Sequence, residues 1–209
     1  MLNDFLANLL IFFLLINPIG LVPVFLSLTH GTPLAYKQKM AIKGPLIAWF
    51  ILVVFGYLGE PILSGLGISL DAFRVGGGLL LGVTGFRMVL EQRQKSQKEK
   101  ARELNPHDLE DISVFPIASL FIAGPGAITA MMINMSKNTG HISAQLIILA
   151  AITSIIVIVM ASFILSSKIS KYLPEEITSV ISRVLGMLLL ALSMQLIFDG
   201  IKSAFGLVS

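Results

Sequence analysis

Arg74-Val75-Gly76-Gly77-Gly78-Leu79-Leu80-Leu81 recurs, about 109 residues further on, as Arg183-Val184-Leu185-Gly186-Met187-Leu188-Leu189-Leu190. Upstream of each copy an apolar segment is interrupted near its middle. The interruptions are Asn17-Pro18-Ile19-Gly20 and Gly124-Pro125-Gly126-Ala127. Two related halves, each carrying one interrupted apolar span, form the pattern of a secondary transporter whose site lies between the interruptions.

Composition supports the same class. With 55% hydrophobic and 13% charged residues, and a mean hydropathy of +0.87, the chain cannot build an ordinary soluble surface and reads as an integral membrane protein. Six stretches approach the roughly 20 apolar residues needed to cross a hydrocarbon core: about Phe5 to Thr29, Gly44 to Leu66, Ala72 to Leu90, Ser113 to Ser136, Ala144 to Ser166 and Thr178 to Asp199. The first lacks the basic flank and small-residue cleavage site of a signal peptide and corresponds to an internal span of the second half, so it is expected to be a mature helix.

Three spans per half is an odd number, so the second copy enters the membrane in the opposite sense. The expected fold is all-α, with six transmembrane helices as two inverted-topology three-helix repeats, and with helices 1 and 4 broken at mid-membrane. Residues 1–209 then form a single transmembrane domain. Repeat one covers about 1–90, a cytoplasmic connector about 91–111, and repeat two about 112–209. The mixed charges of the connector read as a solvated link, with a regulatory or partner-binding segment as the alternative.

Orientation follows from Lys and Arg, which gather in short cytoplasmic loops. With the amino terminus outside, Lys37, Lys39, Lys43, Arg87, Arg93, Lys95, Lys98, Lys100, Arg102, Lys168 and Lys171 lie inside, against Lys137 and Lys202 outside. The remaining two basic residues, Arg74 and Arg183, are within spans. Both termini are therefore expected outside a cell membrane, and the net charge of +3 is a topology signal rather than a nucleic-acid footprint. No cysteine is present, which excludes thiol catalysis and thiolate metal sites.

Pro18 has no backbone donor and its ring opposes the carbonyl of Leu14; Pro125 does the same to Phe121, each costing about 3 kcal/mol in a helix interior. Backbone freed in this way survives in hydrocarbon only where it faces protein or a watery cavity. Two such segments brought together near the midplane would each offer a positive and a negative half-helix end. That suits a zwitterion. N–H groups around Gly20 and Leu21, and around Gly126, Ala127 and Ile128, are candidates for a carboxylate. Carbonyls near Ile16 and Ala123, with Asn17 and Thr129 as side-chain partners, are candidates for an ammonium group or a cation. The glycines leave room for a small substrate only. The competing reading is that Pro and Gly kink two helices for packing; their occurrence at matching places in a duplicated chain favours a site.

These residues carry a resemblance. Asn17-Pro18-Ile19-Gly20 continuing through Pro23 and Phe25, Asp71-Ala72-Phe73-Arg74-Val75-Gly76-Gly77, Ala123-Gly124-Pro125-Gly126-Ala127-Ile128, Arg183-Val184-Leu185-Gly186 and the closing Asp199-Gly200-Ile201 resemble the MarC family over essentially the whole chain. The resemblance implies a six-helix cytoplasmic-membrane protein, and the family's characterised branch implies transport of small neutral amino acids such as glycine and alanine. By position, the family's broken-helix residues fall on Asn17, Pro18 and Gly20, and on Gly124, Pro125 and Gly126. One departure is Leu120, where the family often has a second proline, with Pro116 retained. It predicts a fourth span that is straighter before its break.

Arg74 and Arg183 lie just inside the starts of their spans. They read either as snorkelling or capping residues or as gates that pair alternately with carboxylates such as Glu60 or Asp199. Gly78 and Gly82 give the third helix a small face for close packing, within the chain or between copies. His30, His107 and His141 sit in connecting segments, so no metal, no cofactor and no enzymatic machinery is expected at membrane depth, and the coupling ion of a transporter would be sodium or a proton. A small-solute channel and a non-transporting scaffold or sensor are the alternatives.

Overall fold

The computed structural model describes residues 1–90, 112–168 and 175–207, without the side chains of 175 and 176; the connector at 91–111 lies outside these. Among the described residues every regular element is a helix: α1 Leu2–Ile16, α2 Pro18–Leu28, α3 Leu34–Gly65, α4 Leu70–Val89, α5 Ser113–Ile122, α6 Pro125–Lys137, α7 Ile142–Ile164 and α8 Glu175–Ala204. Five runs are long and apolar enough to cross a bilayer, namely α1 with α2, α3, α4, α7 and most of α8. The pair α5–α6 makes a sixth when counted as one bent span. Large apolar side chains cover the outside, with Phe50 63%, Phe86 55% and Leu188 54% exposed, as befits a surface that meets lipid rather than water.

The elements begin and end for local reasons. The Ser69 hydroxyl accepts the N–H of Ala72 and caps α4. The second span starts earlier than the apolar run suggests, because Leu34 to Lys43 contains good helix formers after Pro33. Its 32 residues extend about 48 Å at helical rise, so Lys37, Lys39 and Lys43 stand beyond an apolar core of about 30 Å.

The main contacts join the first half of the chain to the second. The largest is α4 on α8; α3 packs on α5, α6 and α7, while α1 and α2 pack on α7. Glycine makes the α4–α8 seam possible. A Cβ on Gly85 would fall 2.9 Å from the carbonyl oxygen of Gly186 and 3.0 Å from the nitrogen of Leu190. A Cβ on Gly78 would lie 2.7 Å from Ile197 Cγ1, and one on Gly200 3.0 Å from the carbonyl oxygen of Asp71. Passing from Gly85 back to Asp71 moves the partner forward from Gly186 to Gly200, so the two helices run antiparallel with their backbones nearly touching. Gly78 and Gly82 thus face α8 of the same chain. Elsewhere the order is parallel: Gly44 of α3 meets Ile117 of α5, and Gly59 of α3 meets Met132 of α6.

Because its neighbours are backbone atoms that cannot swing aside, Gly85→Val is expected to destabilise the protein by about 2 kcal/mol. Gly76 has open space around its missing Cβ, so Gly76→Ala is expected to be neutral or to gain up to about 1 kcal/mol of helix propensity. Thermal unfolding of the two variants in detergent checks the contrast.

Candidate functional site at the two helix breaks

The first break is one residue long. Pro18 cannot donate to the preceding turn and disfavours helical backbone at the residue before it, and Asn17 adopts the left-handed conformation, φ 53° and ψ 67°. Asparagine tolerates this region better than most side chains. The side chain then works as a cap: Asn17 Oδ1 accepts the N–H of Gly20 at 3.2 Å, and Nδ2 donates to Ser182 Oγ of α8 at 3.3 Å. The Asn17 N–H donates to the Phe13 carbonyl at 2.9 Å, and its carbonyl accepts from Leu21 at 3.2 Å. Asn17 is 5% exposed and every polar group it carries is bonded. The N–H groups of Gly20 and Leu21, which the sequence offers to a carboxylate, are therefore spent within the chain. Pro18 is buried beside them.

The second break is larger and built otherwise. Pro116 pushes Phe115 into extended backbone, φ −129° and ψ 126°, as a proline does to its predecessor. The residues around it wind in the wide i to i+5 pattern, with Ile117 N–H donating to the Ile112 carbonyl and Ala123 N–H to that of Ala118. The fourth span is therefore irregular before its break, with the departure from helical backbone at Phe115 beside the retained Pro116. At Ala123 and Gly124 the span bends by 65°, the one pair among the described residues bent by more than 40°.

Gly124 opens α6 with extended backbone, φ −65° and ψ 165°, and gives no side-chain cap. Pro125 at the first helical position has no N–H to satisfy. The donors exposed by the break are those of Gly126 and Ala127, which have no intrahelical partner; Ile128 N–H bonds the Gly124 carbonyl at 3.1 Å. Pro125 is exposed, Gly124 and Gly126 are half-buried, and Ala127 is buried. A Cβ on Gly126 would meet Leu81 Cδ2 at 3.0 Å and Leu15 Cδ2 at 3.6 Å, so this helix start faces both the end of α1 and the middle of α4. Thr129, 7% exposed, lays Cγ2 against Gly77, where an added Cβ would sit 2.2 Å away. Its hydroxyl makes no hydrogen bond among the described residues.

The whole chain has relatives. Its sequence matches the MarC family integral membrane protein profile over residues 2–205. A UPF0056 membrane protein of Pyrococcus horikoshii is 36% identical over 197 residues, 93% of this chain and 92% of the relative. The UPF0056 membrane protein YhcE of Escherichia coli is 31% identical over 193 residues, 92% of this chain and 89% of the relative. The chain belongs to the MarC family. No solved structure matches it.

In this MarC protein Arg74 is held at the start of its own helix. Its guanidinium meets Asp71 at 3.0 Å, with the two side chains 15% and 26% exposed, and its Nε is buried without a partner. The carboxylates considered as alternating partners are engaged elsewhere: Glu60 accepts from Thr139 and Asp199 from Gln195 at 2.8 Å. Arg183 is exposed near the start of α8. Ser182 was not legible as part of the site, since a single serine beside a repeated motif carries no pattern. No group of three or more His, Asp or Glu able to hold a metal occurs among the described residues.

Removing the cap exposes the break it closes. Asn17→Ala is expected to cost about 1–2 kcal/mol, and Asn17→Gly only a few tenths at the cap because glycine keeps the left-handed backbone. Thermal unfolding gives the order, and equal losses would show that the left-handed backbone at residue 17 puts no penalty on alanine.

Proposed function

We propose that this MarC protein is a secondary transporter of small neutral amino acids, glycine- or alanine-like, working by alternating access in the cell membrane with both termini outside. The observation that carries the reading is the uncapped start of α6. Two backbone donors, on Gly126 and Ala127, lie at a 65° bend against Leu15 at the end of α1. A helix start of this kind receives a carboxylate, and irregular backbone at membrane depth is tolerated where it lines a cavity.

The antiparallel α4–α8 seam and the parallel α3–α6 pairing support two inverted repeats, since odd-numbered halves inserted in opposite senses produce that combination. The carboxylate site belongs to the second break, because Asn17 already occupies the donors of the first. Carbonyls ending α1 and α5, near Ile16 and Ala123, would take the ammonium group, and Thr129 supplies a hydroxyl on the same helix. Leu15 and Leu81 close over Gly126, which restricts the substrate to a small side chain. Carbonyl oxygens of this kind also suit a coupling sodium ion, with a proton as the other candidate. The residues perform binding and release, not bond chemistry.

Uptake of labelled glycine and alanine into proteoliposomes tests the reading, with sodium and proton gradients imposed separately. Saturable accumulation under one gradient is expected, whereas flux that neither saturates nor counter-exchanges would identify a channel. Gly126→Leu is expected to abolish uptake while the protein stays folded, because its nearest neighbours are flexible leucine ends; normal uptake by that variant would move the site elsewhere.

A further inference from the structure

The bundle has two ends that the repeat relates and the packing distinguishes. An offset of about 107 to 108 residues sets Lys37 opposite Gln145, Thr32 opposite Thr139, and Ser167 or Lys168 opposite Glu60. At the end where α3 begins, the chain fills this place with its own ammonium group. Lys37 Nζ donates to Ser167 Oγ at 3.1 Å and stands 6.0 Å from the centroid of the Phe25 ring, which in turn stacks on Phe163 at 4.2 Å.

At the end where α3 finishes, the equivalent place is an open cleft of about 460 Å³. Tyr57, Glu60 and Ser64 of α3 line it, facing Ser136, Thr139 and Gln145. Gln145 has no charge to put where Lys37 puts one. Glu60 has one partner, the Thr139 hydroxyl, and no cation pairs with it among the described residues. Ser136 Oγ is buried and unpartnered. A carboxylate, an unsatisfied hydroxyl and an aromatic ring thus surround a space from which the repeat has removed the internal ammonium.

We propose that this cleft binds a small primary ammonium compound, with the –NH₃⁺ on Glu60 and the Ser136 hydroxyl. The inference rests on the inverted-repeat reading above and extends it. Ten residues of helix separate Ser136 from Gly126, about 15 Å, so the cleft is a separate place from the breaks. For a transported amino acid it is the outer point of first contact. An amino acid and a simple alkylamine share the recognised group, and the experiment separates them.

The chain has no cysteine, so Ser64→Cys places a sole thiol in the cleft. In the full-length protein, an ammonium-bearing methanethiosulfonate is expected to react roughly fivefold faster than a sulfonate-bearing one, normalised to each reagent's rate with a free thiol, the preference of an exposed charge pair. Adding Glu60→Gln is expected to erase that preference. Ethylamine should slow the labelling and propionate should not; slowing by alanine as well assigns the amino acid, and slowing by ethylamine alone assigns simple amines. A preference that survives Glu60→Gln, or sodium ions protecting as well as ethylamine at equal ionic strength, overturns the proposal. If Glu60→Gln does not fold, Ser136→Ala replaces it, and undiminished ethylamine protection in that variant overturns the proposal too. Labelling reads the cleft and uptake reads the breaks. Charge preference and protection without uptake keep the cleft and remove the transporter reading; uptake without charge preference removes the cleft alone.

Discussion

Hydrocarbon offers no hydrogen-bonding partner, so each backbone group freed by a proline must be satisfied from within the protein or from a wet cavity. The two breaks meet this constraint in opposite ways. Asn17 takes left-handed backbone and uses its amide to bond Gly20 on one side and Ser182 on the other. Gly124 has no side chain to do the same, and the N–H groups of Gly126 and Ala127 at the start of α6 have no partner within the helix. The first break is thus closed by its own side chain and the second is not.

The antiparallel α4–α8 seam is the frame on which both breaks are mounted. Thr129, just past the second break, seats on Gly77 of α4, while Asn17 reaches Ser182 of α8. Each half thus attaches its irregular segment to one member of the seam. Contacts of backbone on backbone, as at Gly85 and Gly186, leave little freedom to slide. The contacts of α3 with α6 run instead through Met131, Met132 and Met135, unbranched side chains that adapt to changes in spacing. A rigid seam thus stands beside a more compliant contact.

Much of this was legible in the sequence. Six apolar stretches and their duplicated motifs anticipate the helices, because a bilayer fixes span length and Gly/Pro pairs mark where helices fail. The close-packing role of Gly78 was readable from its spacing to Gly82, though the partner was not. What could not be read was the inequality of the breaks. Whether Asn17 offers its amide to a ligand or spends it on Gly20 depends on backbone angles that no pattern states. The winding of α5 around Pro116, the placing of Arg74 on Asp71 and the cleft beside Glu60 share this character. The cleft depends on neighbours from distant parts of the chain, while the Arg74–Asp71 pair and the winding at Pro116 are local but turn on side-chain and backbone angles that no spacing states.

The same interlocking has a consequence for how such a chain could have arisen. Because the helices of each half pack mainly on those of the other, a half-length ancestor would have buried its glycine faces only by meeting a second copy of itself inserted upside down. Such an ancestor would have needed a charge balance even enough to insert both ways. Joining two copies through a charged connector would free each half to fix its own orientation, and would let one break gain a cap that the other lacks.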